Sequence, residues 1–206
     1  MKSQHLFDKV VKHLREQNAQ SYHYNKNLCQ YRMADDQGHI LKCAIGALIP
    51  DDEYDDQMEG MSGFDLLISW PLVLRADLSP PGTEAWEAQL ILLRALQCLH
   101  DNYDVDKWEA GFAYIAQEWK LNFEAKAPAL TAHDLHTRLD LEHHATNYQH
   151  AKAWTRTMIE QHGRRARDNG RPFNTCPWAE RTDYERWWSA GWRAMDKELS
   201  EKELVS

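Results

Sequence analysis

The sequence predicts a mainly α-helical fold, with a helical N-terminal domain over residues 1–128 that includes a small β-hairpin near 29–42. Residues 129–206 then form a long connecting helix and a two-helix C-terminal module. Three features of the chain point there. Apolar residues recur at spacings of three and four in successive stretches, which is the period of a helix with one buried face. Turn chemistry between short strand-like runs occurs at Asp35-Asp36-Gln37-Gly38. Proline and glycine breaks at Ser79-Pro80-Pro81-Gly82 and Ala127-Pro128 divide the helical stretches from one another.

Taken in order, Leu6, Phe7, Val10, Val11 and Leu14, with charged residues between them, predict an amphipathic helix to about Asn18. The segments Cys29 to Arg32 and His39 to Lys42 suit the two strands of the hairpin, and Ala44 to Ile49 a short buried helix or turn ended by Pro50. Thr83-Glu84 opens a long helix with Trp86, Leu90, Leu93 and Leu96, apolar on most faces and expected at the centre of the core. Trp108, Phe112, Ile115 and Trp119 mark a partner for it between Asp106 and Leu121. Thr131, with Asp134 as reciprocal partner, caps a helix expected to run as far as Asp168.

At 206 residues the chain is long enough to bury a sizeable core, and 43% hydrophobic with 27% charged residues is ordinary globular composition. The opening Met1-Lys2-Ser3-Gln4-His5 lacks the apolar run of a signal peptide, and no stretch approaches the roughly 18 apolar residues of a membrane span, so a cytoplasmic protein with no membrane partner is expected. Cys29, Cys43, Cys98 and Cys176 are scattered, which predicts free thiols. Net charge is -8, unevenly spread: residues 152–206 hold 11 Lys and Arg against 9 Asp and Glu, so an acidic body of about -10 bears a mildly basic tail.

Chemistry-bearing patterns are sparse. The acidic run Asp51 to Asp56 lacks the ligand alternation, glycine and distant Glu of a calcium loop and reads better as a solvated face. On a helix His136, Asp140 and either His143 or His144 share a side, the geometry of a helical metal site, yet no HExxH accompanies them and ordinary polar surface explains them equally. Cys43 and Cys29 lie near His39 and His23 in the chain, but nothing marks an activated thiol. Without a GxSxG, a phosphate loop or a dinucleotide turn, no catalytic residue, cofactor or metal is expected.

The tail is more specific. Gly170-Arg171-Pro172 stops one helix, Cys176-Pro177-Trp178 forms an ordered linker, and Thr182 caps a second helix. Tyr184, Trp188, Trp192 and Met195 make one aromatic stripe on that helix, and Trp188 and Trp192 are expected to pack the two helices together. Arg164, Arg165, Arg167, Arg171, Arg186 and Arg193 then supply guanidinium groups beside aromatics, the ingredients of RNA binding. Gly163, Ala166, Gly170, Cys176, Pro177 and Trp178, followed by Trp188, Gly191, Trp192 and Arg193, resemble the pattern of ribosome modulation factor, with one extra residue between Cys176 and Trp192. That family comprises short, basic two-helix proteins that bind the bacterial ribosome and promote its inactive dimer.

The resemblance spans about a quarter of the chain and implies a ribosome or rRNA partner and a role in regulating translation. Lys42-Cys43-Ala44-Ile45-Gly46 to Gly60 is similar in flavour to uncharacterised bacterial and phage proteins, and an accessory factor of a phage would fit both halves. A second expectation stands beside the first. The acidic body has the charge of a nucleic-acid mimic, a protein-binding inhibitor of a host factor such as a defence nuclease.

Overall fold

The structure, a computed structural model, describes residues 2–23, 28–70, 73–125, 156, 159–178, 180 and 182–203. It is mainly helical, as expected. The segment from 126 to 155 lies outside the described residues, and with it the Thr131 cap, most of the connecting helix, and the candidate metal residues His136, Asp140, His143 and His144. Among the described residues, no helix is long and apolar enough to cross a membrane.

Helix α1 (Lys2–Gln17) buries Leu6, Phe7, Val10, Val11 and Leu14, the five positions that its periodicity singled out. It packs on α3 (Glu84–Asn102), whose Leu92, Leu93, Leu96 and Leu99 are buried, and on a 3-10 turn at Gly46–Leu48. Thr83 caps α3 by accepting from the Trp86 amide at 3.2 Å, and Ser62 caps the short α2 (Gly63–Ser69) through the Asp65 amide. Helix α4 (Val105–Glu118) packs along α3 with Trp108, Phe112 and Ile115 buried, completing the anticipated helical hairpin.

The β-structure differs in detail from the expectation. The hairpin pairs β3 (Arg32–Ala34) with β4 (Ile40–Lys42), matching Arg32 to Lys42 across the Asp35 to Gly38 turn. Cys29 lies outside it, in a separate ladder of β1 (Tyr22–His23) with β2 (Leu28–Cys29). Glu59 draws the division: its carboxylate accepts the amides of Tyr31 and Arg32 at 3.0 and 2.9 Å, leaving the two ladders distinct.

Helix α5 (159–168) ends in a left-handed Gly170 (φ 73°), with the Gly170 amide on Arg167 O and the Arg171 amide on Ala166 O, both at 2.9 Å. These two bonds are the Schellman closure that a glycine permits without steric penalty. Helix α6 (Asp183–Glu203) begins at Thr182, whose hydroxyl accepts the Glu185 amide at 3.1 Å. The two helices cross with glycine against backbone on both sides. A Cβ on Gly163 would lie 2.1 Å from Trp188 O, and one on Gly191 1.9 Å from Glu160 O. Trp188 is fully buried beside the crossing, while Trp192 is half-buried.

This helix pair is joined to the rest by aromatics. Trp178 meets Trp86 of α3 edge-on at 5.8 Å, Tyr184 meets Trp86 at 5.5 Å, and Trp178 and Tyr184 lie 5.2 Å apart. Ile159, Ala166, Trp178, Tyr184 and Trp188 therefore belong to the same contiguous core as α1, α3 and α4.

In an exposed helix Gly→Ala is favourable by about 1 kcal/mol. At Gly191 the new methyl meets a carbonyl that belongs to a packed helix, so Gly191→Ala is expected to lower stability by roughly 2 kcal/mol, read as a reduced urea midpoint at unchanged slope.

Candidate nucleic-acid interface

The six candidate arginines divide into two sets. Arg164 forms a two-pronged pair with Glu198, 2.7 Å to each oxygen, and Arg167 Nε donates to Asp196 Oδ1 at 2.7 Å. Arg186 pairs with Asp183 three residues earlier on its own helix. All six were expected as outward phosphate contacts, and for these three the structure corrects that expectation. Asp196 and Glu198 on α6 come to face α5 once the glycine crossing brings the helices together, and their carboxylates take up the nearest guanidiniums. Such half-exposed pairs contribute only about 0–1 kcal/mol each, but they occupy donors that a phosphate would need.

Arg165, Arg171 and Arg193 are exposed and form no ion pair among the described residues. Arg193 borders a small aromatic group. Phe173 stands in a 3-10 turn (Phe173–Thr175) directly after the end of α5, with its ring centroid 5.3 Å from Trp192 and 5.9 Å from Trp188. The Arg193 guanidinium lies over the Phe173 ring at 5.0 Å, and that of Arg167 over Trp192 at 5.3 Å. Trp192 Nε1 donates to the Arg171 carbonyl at 3.0 Å, which fixes the chain leaving α5 against α6. Phe173 is 36% exposed, the one aromatic among the strongly exposed large apolar side chains of the described residues.

Beneath this face His162 Nδ1 accepts from Trp188 Nε1 at 3.2 Å, so the imidazole must stay neutral to hold the bond. Burial, with Arg165 and Arg171 nearby, pushes His162 down to about 4. The motif residues Gly163, Ala166, Gly170, Trp188, Gly191 and Trp192 all serve the helix crossing or its termination. Cys176, Pro177 and Trp178 form the linker that docks on Trp86.

A second constellation was not foreseen. The fully buried His100 places Nδ1 2.9 Å from Asp101 Oδ1 and 3.7 Å from Cys29 Sγ, and Gln97 donates to the same Asp101 oxygen at 2.7 Å. Of the histidines near the cysteines in the chain, His39 pairs with Asp35 in the hairpin turn, and Cys43 accepts the Gly46 amide. The three ligand-type atoms of Cys29, His100 and Asp101 lie within 4.8 Å of one another. The Ser21 amide donates to His100 Nε2 at 3.1 Å, so the ring proton sits on Nδ1 and points at Asp101. A metal on Nδ1 would force a proton onto Nε2, against that amide. Burial and Asp101 also raise the Cys29 thiol well above its ordinary range. The trio thus suits a buried hydrogen-bond hub rather than a metal centre or a nucleophile.

The acidic run is equally committed. Asp51 accepts Lys42 and Arg32, each at 2.7 Å, Glu53 pairs with Arg75 at 2.7 Å, and Asp55 caps a 3-10 turn (Asp56–Met58).

Two measurements follow. The unfolded His162 takes up its proton near 6.5 and the folded one only near 4, so unfolding binds an extra proton in between and stability falls as pH drops through that window. His162→Gln, which keeps an acceptor for Trp188, is expected to show a smaller loss between about pH 7 and about pH 5 in urea titrations. Asp101→Ala leaves the buried His100 Nδ1–H unpaired and is expected to cost about 2 kcal/mol by the same assay. Set beside known proteins, the chain matches no family model, no curated protein and no solved structure.

Proposed function

We propose that the chain is a regulatory protein that binds ribosomal or other structured RNA through Arg165, Arg171 and Arg193, with its C-terminal helix pair acting as a ribosome-modulation-factor-like module on an acidic helical body. One observation supports this above others: the exposed Arg193 guanidinium lies over the partly exposed Phe173 ring, and Arg165 and Arg171 of the same helix pair are exposed and without an ion pair among the described residues. Phosphate-binding cations beside flat apolar surface are what RNA recognition uses. The resemblance of Gly163 to Arg193 to ribosome modulation factor favours the ribosome as the RNA in question.

The rival reading, an acidic inhibitor that mimics nucleic acid, asks for carboxylates free to meet a partner's cations. In the densest acidic run, Asp51 and Glu53 instead hold Lys42, Arg32 and Arg75 of the same chain. That speaks against mimicry by this face, and the RNA reading is preferred.

Three phosphate contacts predict a modest salt dependence. Affinity for ribosomes should fall roughly 20- to 40-fold between about 50 and about 200 mM salt, and replacing Arg165, Arg171 and Arg193 together by Glu should abolish cosedimentation while the protein stays folded. Unchanged cosedimentation of that variant would overturn the proposal. Capture of one basic protein from lysate, surviving nuclease, would favour the inhibitor instead.

A further inference from the structure

Phe173 packs on Trp188 and Trp192 at 5.9 and 5.3 Å yet keeps 36% of its surface exposed. Its position is nevertheless rigid. The Thr175 amide and hydroxyl both donate to the Pro172 carbonyl, at 3.0 and 2.6 Å, and Pro172 fixes the backbone entering the turn. Behind the ring stand Trp188 and Trp192, and over it lies Arg193. An aromatic side chain seated in an ordered turn, packed on two indoles and with the Arg193 guanidinium over its ring, is a surface organised for a flat partner with a negative charge attached.

Phosphate alone has no use for such a ring, and a paired base inside an A-form duplex offers no free face to it. An unpaired nucleotide offers both parts: a base to stack and a phosphate within reach of guanidinium groups. Resting on the RNA reading above, we propose that the Phe173–Arg193 stack takes an unpaired RNA base, with Arg165 and Arg171 on the neighbouring phosphates, so that the protein selects single-stranded over duplex segments.

The test compares a fluorescently labelled RNA strand of about ten nucleotides with its duplex, by anisotropy at fixed salt. The single strand is expected to bind about tenfold more tightly. Phe173→Leu, which keeps apolar volume and loses the ring, is expected to weaken single-strand binding about tenfold while leaving duplex binding unchanged and the protein folded at the assay temperature, and Phe173→Tyr to retain wild-type affinity. Equal affinity for strand and duplex, or wild-type single-strand binding by Phe173→Leu, overturns the stacking role.

Ribosome cosedimentation separates the two failures. If the triple Arg→Glu variant is released while Phe173→Leu binds single strands normally, stacking alone is lost. If the triple variant still cosediments, the RNA reading falls and stacking with it.

Discussion

The glycine crossing of α5 and α6 is the constraint on which the C-terminal structure depends. With hydrogen atoms in place of side chains at Gly163 and Gly191, each helix lays its backbone against the other, closer than any Cβ would allow. That proximity seals Trp188, brings Asp196 and Glu198 to Arg167 and Arg164, and lets the Trp192 indole N–H donate to the Arg171 carbonyl. Widening the crossing by one methyl would loosen all of these together, because interiors this close-packed have no slack to absorb it.

The same crossing explains why charge sorts as it does. Carboxylates on α6 that face α5 find arginines there, so Arg164 and Arg167 become part of the helix interface, whereas Arg165, Arg171 and Arg193 stay exposed without an ion pair among the described residues. Burial above all, with Arg165 and Arg171 adding to it, keeps His162 neutral, which preserves the acceptor that Trp188 needs. Structural order and surface charge are therefore set by one arrangement.

Much of this was legible from residue spacing. The five buried positions of α1, the Thr83 and Thr182 caps and the glycine stop at 170 follow from local rules that act within a few residues. What could not be read depends on distant pairing. Asp196 and Glu198 are ordinary surface acids until the crossing angle places them beside α5, and Cys29 meets His100 only because β2 lies against the end of α3. The hairpin slipped for a related reason: strands of two or three residues carry too little alternation to fix their ends, and the Glu59 carboxylate that separates them lies 27 residues beyond Arg32. Phe173 carried one usable signal, an aromatic placed immediately after Gly-Arg-Pro where the chain must turn back.

An acidic body and a basic tail also fix how a polyanion can be met. Some ten negative charges in excess over residues 1–151 repel a polyanion, whereas Arg165, Arg171 and Arg193 are exposed on the helix pair of the tail. At physiological salt each field decays over about 8 Å, so the body's repulsion scarcely reaches a strand seated at the tail, but it still penalises any approach that brings the body into contact. The uneven charge thus penalises contact of a polyanion with the acidic body more than contact with the tail, where Arg165, Arg171 and Arg193 are exposed.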